Sequence, residues 1–279
     1  MSGAATVAQA LDQARGCGVA MLDARLMLGW LLGRSPTWLI AHDDERLGAA
    51  TDRWAEWLGR RAGGEPLAYL LGEKEFHGLL LEVTPEVLVP RPETELLVDW
   101  AVERLESSPR PASLIDLGTG SGAIALAVKQ VRPGAAVTAT DTSAAALGVA
   151  RRNARRLALE VDFVEASWWQ GLDGRQFAVA AANPPYIREG DPALAALRHE
   201  PHGALTPGGD GLAALREIVA GARAHLDPGG WLLLEHGFDQ AGDVRDLLEK
   251  AGLEAVETRS DLAGHPRATG GRRPAATAR

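Results

Sequence analysis

The sequence has a single cysteine, Cys17, and no apolar run of about 18 residues or more. One thiol rules out a disulfide framework and a cysteine-based structural zinc site, and it fits a reducing compartment. Without a long apolar run, we expect no membrane-spanning helix. The first 20 residues lack a basic segment followed by an apolar stretch. We therefore expect no signal peptide and a cytoplasmic protein.

The sequence also lacks a surplus of basic residues. Lys and Arg total 29 and Asp and Glu total 37, so the formal net charge is −8. This balance disfavours a protein that holds nucleic acid through a general basic surface, although it leaves a local basic patch open. Hydrophobic residues make up 46% and charged residues 24%, which excludes a disordered or fibrous chain. A length of 279 residues predicts about two domains.

The first quarter of the chain predicts helices. Apolar side chains recur at helical spacing, for example at Val7, Leu11 and Ala14. Four of the eight tryptophans lie in this part, at Trp30, Trp38, Trp54 and Trp57. We interpret them as core, with an aromatic recognition face as the alternative. We predict an N-terminal helical domain over residues 1–74 and a β-hairpin linker over residues 75–90.

From residue 91 to residue 279 the pattern alternates between strands and helices, which predicts a second, α/β domain. The predicted strands are Ser113–Leu117, Ala136–Asp141, Val161–Glu165, Phe177–Ala182, Trp231–Glu235 and Leu253–Thr258. The predicted helices are Glu93–Leu105, Gly122–Val131, Ser143–Leu157, Gly211–His225 and Gln240–Ala251. Such alternation is typical of a parallel sheet with helices on both faces, which binds ligands at the carboxyl ends of its strands. The tail, Gly270–Arg279, is expected to fray.

A glycine-rich turn follows the first of these strands and precedes a helix. Glycine lets a ligand approach the backbone closely, and free amides at a helix start favour electron-rich groups. The acid at the end of the next strand can accept both hydroxyls of a ribose. The candidate cofactor-binding residues are therefore Asp116, Gly118, Thr119, Gly120, Ser121, Gly122 and Asp141.

The glycine pattern alone leaves two cofactors open. Gly118, Gly120 and Ala123 also satisfy the dinucleotide form of the motif, with an acid about 20 residues further on. Asp116, however, precedes the first glycine, where an anion would repel a pyrophosphate. It suits a cationic ligand that carries an ammonium and a sulfonium, as S-adenosyl-L-methionine does.

The segment Asn183-Pro184-Pro185-Tyr186 follows the fourth predicted strand. Two prolines fix φ and remove two backbone donors, which leaves the Asn183 side-chain oxygen and the Pro184 carbonyl as acceptors. Two acceptors and an aromatic ring suit a planar NH2 group. The alternative is an ordinary proline turn, but the position downstream of Asp116 and Asp141 favours a catalytic segment. We take Asn183, Pro184 and Tyr186 as catalytic candidates.

In its motifs the chain resembles the HemK/PrmC family, the glutamine N5-methyltransferases of peptide chain release factors. The resemblance covers nearly the whole length. It implies a helical N-terminal domain that binds the release factor, a hairpin linker, and a class I S-adenosyl-L-methionine-dependent methyltransferase domain with a Rossmann-like, seven-stranded sheet. The matching stretches are Arg91–Val98, Asp116–Ala127, Asn183–Tyr186, Glu200–Leu212, Leu232–Gly237 and Arg259–Arg267.

The resemblance also implies roles for individual residues. Residues 118–122 would line S-adenosyl-L-methionine, Asp141 would hold its ribose, and Trp168 would pack near its adenine. Asn183 would contact both cofactor and substrate amide. The family often has an acid before the tryptophan, but this chain has Ser167, which can still accept a hydrogen bond from the adenine without adding charge. Glu165 is the alternative contact. The substrate pocket would consist of Asn183, Pro184, Pro185 and Tyr186, with Arg91 beside it.

The implied partner is a bacterial class 1 release factor, methylated on the glutamine of its Gly-Gly-Gln motif. We expect a monomer, no direct nucleic acid binding and no membrane association. The alternatives are an adenine-amino methyltransferase of DNA or RNA, which shares the Asn-Pro-Pro-Tyr segment, and a non-catalytic module that binds release factors. No metal is expected, since His199 and His202 lack further ligands. Glu235 and His236 are interpreted as structural residues.

Overall fold

The computed structural model describes residues 5–108 and 112–275. The chain divides into two compact units, Met1–Glu73 and Lys74–Arg279. The domain limits expected from the sequence, 1–74 and 91–279, extend over residues that lie outside the described part. In the described part, no helix has the length and apolar character needed to cross a lipid bilayer.

The first unit is helical, as its apolar spacing predicts. Its helices are α1 (Val7–Gly16), α2 (Met21–Leu32), α3 (Pro36–Ala41), α4 (Thr51–Ala62) and α5 (Leu67–Leu71). Helix α1 begins at a reciprocal cap in which Thr6 Oγ1 accepts from the Gln9 amide and Gln9 Oε1 accepts from the Thr6 amide. Helix α2 ends at Gly33, which adopts the left-handed conformation. Local chemistry thus sets several of these boundaries.

The tryptophans of the first unit divide between core and surface. Trp54 and Trp57 on α4 are buried in a core with Met27, Leu28 and Leu39. The Trp54 indole still satisfies its N–H group, which donates to Gln13 Oε1 at 3.2 Å. Trp30 is 45% exposed and its ring lies 5.1 Å from that of Trp57, centre to centre. The core interpretation is therefore correct for Trp54 and Trp57 but not for Trp30.

The predicted hairpin is present, with strands β1 (Glu73–Phe76) and β2 (Leu79–Glu82). Its two-residue turn, His77-Gly78, has positive φ at both positions, as the twist of a tight hairpin requires. Strand β2 belongs to the second unit, and so does all of the expected linker, residues 75–90. Within that unit the end of β2 is held by the Glu82 amide, which donates to Asn153 Oδ1 at 2.7 Å.

The second unit is an α/β layer structure. Its described helices are α6 (Glu95–Glu106), α7 (Ala123–Val131), α8 (Ala144–Leu157), α9 (Ala193–Ala196), α10 (Ala213–His225) and α11 (Ala241–Lys250). Its strands are β3 (Ser113–Leu117), β4 (Ala136–Asp141), β5 (Asp162–Glu165), β6 (Phe177–Ala182), β7 (Leu226–Glu235), β8 (Glu254–Ser260) and β9 (Pro266–Arg272). These seven strands form one sheet in the order β5-β4-β3-β6-β7-β9-β8.

The second unit has two hydrophobic cores, and neighbouring residues of β3 belong to different cores. Leu114 belongs to a cluster with Leu97, Trp100 and Leu126 of α6 and α7. Ile115 belongs to a second cluster that contains Ile218 of α10 and Leu248 of α11. Because successive side chains of a strand point to opposite faces, helices cover both faces of the sheet, as the alternating pattern predicts.

Strand β9 corrects two expectations. The sheet is not fully parallel, since β9 runs antiparallel to both β7 and β8. The tail is not frayed from residue 270, because Gly270–Arg272 pair with Trp231, Leu232 and Leu233 of β7. A Cβ on Gly270 would lie 2.8 Å from Trp100 Cη2, so the glycine that weakens the strand pattern is required by packing. Residues 276–279 of the expected tail lie outside the described residues.

Candidate functional site

The segments predicted to form the site follow the carboxyl ends of neighbouring parallel strands. Leu117, the last residue of β3, pairs with Thr140 of β4 on one side and with Ala182 of β6 on the other. Ala182 in turn pairs with Leu234 of β7. The segments that follow these strands therefore share one edge of the sheet, where α/β folds bind ligands.

The glycine turn wraps closely around the end of β4. The amides of Gly118 and Thr119 both donate to the Thr140 carbonyl, at 2.9 and 2.8 Å. Gly118 and Gly120 have φ of +75° and +55°, which glycine adopts without strain. A Cβ on Gly120 would meet no atom within 4 Å. The turn thus leaves open space above its backbone.

Asp141 joins this turn to the next helix. Its Oδ2 accepts from the Gly120 amide at 2.9 Å and its Oδ1 from the Ser143 amide at 2.9 Å. An ionised carboxylate has about four acceptor positions, so these two bonds leave capacity for further donors. Ser143 then caps α8 by accepting from the Ala146 amide.

Asp116 lies beneath the turn and is fully buried. Its Oδ2 accepts from Thr119 Oγ1 at 2.6 Å and from the Ala125 amide at 3.1 Å, whereas Oδ1 has no hydrogen-bond partner among the described residues. Burial raises the pKa of the Asp116 carboxyl to about 7. The carboxyl supports the glycine turn from behind and offers no atom to the space above it.

A cavity of about 310 Å³ lies above the turn. The candidate residues in its wall are Arg91, Gly118, Thr119, Gly120, Ser121, Asp141, Trp168, Asn183 and Pro185. The candidates that do not line it are Asp116, Gly122, Pro184 and Tyr186. Gly122 instead serves packing, because a Cβ there would lie 2.9 Å from Leu126 Cδ1. A larger, more open depression at the amino ends of β4 and β5 contains none of these groups.

Trp168 forms one wall of this cavity. A Cβ on Gly118 would lie 3.2 Å from Trp168 Cζ3, so the glycine lets the indole pack against the turn. Trp168 itself has a positive φ of 47°. Ser167 also lines the cavity, whereas Glu165 is exposed and does not. Of these two neighbours of the tryptophan, only the serine is placed to meet a ligand.

Asn183 stands at the other side of the cavity, directly after β6. Its Nδ2 donates to Thr94 Oγ1 at 3.0 Å, which leaves Oδ1 as the acceptor of this side chain. Further along the segment, the Tyr186 hydroxyl donates to Glu235 Oε1 at 3.4 Å and the Tyr186 carbonyl accepts from Gln240 Nε2 at 3.0 Å. Burial raises the pKa of Tyr186, so its hydroxyl stays protonated.

Two distant blocks of the sequence meet at Arg91. Its guanidinium pairs with the carboxylate of Glu200, whose second oxygen accepts from the Val89 amide at 3.0 Å. Glu200 is buried and Arg91 is partly exposed to the cavity side. The sequence reasoning named neither Glu200 nor Thr94 as a site residue. Both lie within the motif stretches 200–212 and 91–98, which is the signal that could have found them.

Comparisons with known proteins cover both units. The PrmC N-terminal domain family matches residues 5–72, and the methyltransferase small domain family matches residues 94–211. A release factor glutamine methyltransferase of Burkholderia pseudomallei is 51% identical over 277 residues, which are 96% of this chain and 97% of the relative. The chain belongs to the release factor glutamine methyltransferase family.

Other relatives agree with this assignment. A family member from Bordetella pertussis is 48% identical and covers 91% of this chain, with 95% of its own length matched. Among solved structures, a 16S rRNA methyltransferase of T. thermophilus in complex with AdoMet and guanosine has a TM-score of 0.54 at 21% identity, over 72% of this chain and 49% of that one. That likeness establishes the class I methyltransferase fold of the second unit.

Across residues 5–108 and 112–275, no three or more His, Cys, Asp or Glu side chains are grouped so that they could hold a metal ion. His202 begins a short 3-10 turn, His202–Ala204, whose last two residues line the cavity.

Proposed function

We propose that this protein transfers a methyl group from S-adenosyl-L-methionine to the side-chain amide nitrogen, N5, of the glutamine in the Gly-Gly-Gln motif of bacterial class 1 release factors. The observation that carries the proposal is the position of Asn183. It lines the same cavity as the glycine turn, and its amide oxygen remains available as an acceptor. The names of the relatives supply the substrate class.

The cavity fits the cofactor on its own geometry. Gly120 leaves room above the backbone, Asp141 keeps acceptor capacity for ribose hydroxyls, and Trp168 provides an aromatic wall for an adenine ring. We assign cofactor binding to the lining residues Gly118, Thr119, Gly120, Ser121, Asp141, Trp168 and Asn183. We also include Asp116 and Gly122 in the cofactor site, in an indirect role: neither lines the cavity, and both support the glycine turn that does. When bound, S-adenosyl-L-methionine supplies an electrophilic methyl group on a sulfonium.

The residues of the Asn-Pro-Pro-Tyr segment prepare the nucleophile. An amide nitrogen is a poor nucleophile because its lone pair is delocalised. Asn183, which lines the cavity, accepts one hydrogen of that nitrogen through Oδ1. The second hydrogen is assigned to the carbonyl of Pro184, which follows Asn183 in the chain but is not part of the cavity wall in this structure. Both bonds raise electron density on nitrogen and fix its direction. Holding the reacting atoms in line contributes up to roughly 7–11 kcal/mol. No strong base is needed before attack, since the proton leaves from the cationic product to water.

The remaining assignments concern the substrate. Pro185 and Arg91 line the cavity and are assigned to the glutamine-bearing loop. Tyr186, which follows Pro185 in the chain but does not line the cavity, is assigned to the same loop. The helical first unit is assigned to docking of the release factor. We propose a monomer, and a cytoplasmic location in keeping with a lone exposed cysteine, Cys17.

A labelling experiment tests this function. The protein is incubated with methyl-labelled S-adenosyl-L-methionine and a release factor, then with the same release factor carrying Ala in place of its motif glutamine. We expect label in the first protein only, at one glutamine by mass spectrometry. Equal labelling of both proteins would overturn the substrate assignment. Methylation of duplex DNA in a parallel reaction would favour the adenine-amino alternative, which normally needs base flipping.

A further inference from the structure

A buried carboxyl lies behind the Asn-Pro-Pro-Tyr segment. Glu235 ends β7 and is only 2% exposed. Its Oε1 accepts from the Tyr186 hydroxyl at 3.4 Å, and a hydrogen bond from the nearby Thr94 hydroxyl lowers the pKa of the carboxyl. Thr94, itself 4% exposed, also accepts the hydrogen bond from Asn183. We call Thr94, Asn183, Tyr186 and Glu235 the Glu235 network. The carboxyl thus reaches both polar side chains of the segment, one directly and one through a threonine.

The donor and the acceptor of each hydrogen bond in this network follow from the groups at the two ends of the network, the Glu235 carboxyl and the Asn183 amide. A hydroxyl has one hydrogen to donate and two lone pairs. When Glu235 is ionised and Thr94 donates its hydrogen to the carboxylate, the Thr94 oxygen is left as an acceptor, and only the NH2 end of Asn183 satisfies it. The amide of Asn183 is then held with Nδ2 toward Thr94, so that Oδ1 is the end left over. If the Thr94 hydroxyl were free to turn, it could donate to Asn183 Oδ1 and the amide could reverse.

Other charged groups surround the carboxyl. The positive charge of Arg267 favours the ionised form of Glu235, whereas the negative charge of Glu93 opposes it. Oε2 has no hydrogen-bond partner among the described residues. A buried polar atom without a partner costs free energy, so a purely structural role would be filled better by an apolar side chain of similar volume. The polar network is therefore maintained at a cost to the fold.

We propose that Glu235 is a positioning residue of the methyl transfer, which acts through Thr94 to keep the Asn183 amide oxygen turned toward the substrate and through Tyr186 to hold the end of the same segment. This inference rests on the proposed function for its catalytic consequence. The orientation of the Asn183 amide does not depend on that function, and it can be measured separately.

The kinetic test compares two substitutions at the same position. Glu235→Met keeps the volume and removes both acceptors, so we expect kcat for methyl transfer to a release factor to fall roughly 10–10²-fold, as misplacement of a reacting group does. The dissociation constant for S-adenosyl-L-methionine should change less than twofold. Glu235→Gln keeps one acceptor oxygen and should recover most of the lost rate. A loss shared equally by Met and Gln would overturn the proposal.

A second variant tests the same path in case Glu235→Met does not fold. Thr94→Val removes the hydroxyl that joins Glu235 to Asn183, and should lower kcat to a similar extent. The double variant, Thr94→Val with Glu235→Met, should be no slower than the worse single variant, since both substitutions remove the path from Glu235 through Thr94 to Asn183. If the losses in kcat of the two single variants multiplied in the double variant, the proposed positioning role would be contradicted. Thr138→Val is the matched control: it is a buried threonine whose hydroxyl accepts from Arg175 at 2.6 Å, away from the network. Its kcat should equal that of the wild type.

The amide orientation can be read without any methyl transfer. The chain has only two asparagines, Asn153 and Asn183, so labelling with 15N-asparagine gives two side-chain NH2 signals. Asn153 donates to the carbonyls of Glu82 and Ser121 and serves as an internal reference. In Glu235→Met and Thr94→Val we expect the Asn183 pair to shift or broaden while the Asn153 pair stays fixed.

The two proposals fail in different ways. Unchanged Asn183 signals together with a wild-type kcat would overturn the positioning role and leave the methyltransferase function standing. Altered Asn183 signals in a protein that never methylates a release factor would support the orienting network and overturn the proposed function instead.

Discussion

At the scale of single residues, Asn183 combines two demands in one side chain. An amide has a donor end and an acceptor end, and Thr94 occupies the donor end at 3.0 Å. Asparagine is therefore held by the protein through nitrogen and presented through oxygen. An aspartate at this position would lose the bond to a hydroxyl that acts as acceptor, because a carboxylate has no hydrogen to donate.

The substitution Asn183→Ala tests the catalytic role directly. It removes one preorganised polar contact, and we expect the rate of methyl transfer to fall by roughly 10²–10³. Cofactor affinity should change much less, because the glycine turn and Asp141 are untouched. Single-turnover rates and calorimetry with S-adenosyl-L-methionine measure the two quantities. If affinity fell as far as the rate, the assigned role of Asn183 would be wrong.

At the scale of elements, the segment after β6 is held by close backbone packing. Gly211 precedes α10 with φ of +79°, and a Cβ there would lie 2.4 Å from the Tyr186 carbonyl oxygen. Gln240, just before α11, donates to the same carbonyl. The start of one helix and the approach to another thus fix the path of the Asn-Pro-Pro-Tyr segment.

The substitution Gly211→Ala should therefore lower both stability and activity. It combines a left-handed conformation with a steric clash, and we expect unfolding free energy to fall by about 1–3 kcal/mol. Gly242→Ala is the control, since Gly242 lies in α11 without positive φ and a Cβ there meets no atom within 4 Å. That variant should be no less stable than the wild type. Urea unfolding measures both, and equal midpoints would contradict the packing argument.

Element prediction from the sequence succeeded where the pattern was local. The limits of β3, β4 and β6 agree with the predicted strands. Strand β6 is a continuous apolar run, β3 and β4 mix apolar residues with a few polar ones, and each strand ends at a turn or a helix cap. Strand β9 was missed since it contains Pro266, Gly270 and Gly271, which weaken a strand pattern. Its glycines are required because a Cβ on Gly270 would crowd Trp100 and a Cβ on Gly271 would crowd Leu253. The spacing of residues in the sequence does not reveal these contacts.

The site was predictable to a similar degree. The glycine turn and Asn183 each follow a strand end, so parallel topology brings them together without knowledge of side chains. Asp116 was expected to face a ligand because of its charge, but burial placed it behind the turn. The contacts between Thr94 and Asn183 and between Arg91 and Glu200 join residues 89 and 109 positions apart. No local pattern encodes such pairs, and only tertiary packing shows them.

At the scale of the whole molecule, two buried carboxyls tie stability to pH. Burial raises the pKa of Asp116 from 3.8 to about 7 and that of Glu235 from 4.5 to about 7. The folded protein therefore holds protons that the unfolded chain releases between about pH 4 and pH 7. Their stabilising contribution is complete below that window and is lost as pH rises through it. His236 acts in the opposite sense, because burial lowers the pKa of its imidazole.

The variant Glu235→Gln isolates one of these contributions. Glutamine cannot ionise, so the variant avoids the cost of ionising a buried carboxyl. As pH rises through this window, the free energy of unfolding of the variant should therefore increase relative to that of the wild type. The expected increase is on the order of 3 kcal/mol for a pKa raised from 4.5 to about 7. Asp116→Asn should behave in the same way. Urea unfolding of the ligand-free protein at several pH values gives the differences directly. Because His236 is present in all three proteins, its opposing effect cancels in each difference. A difference between variant and wild type that stayed constant with pH would mean that the carboxyl is already ionised in the folded protein, at a pKa close to its ordinary value.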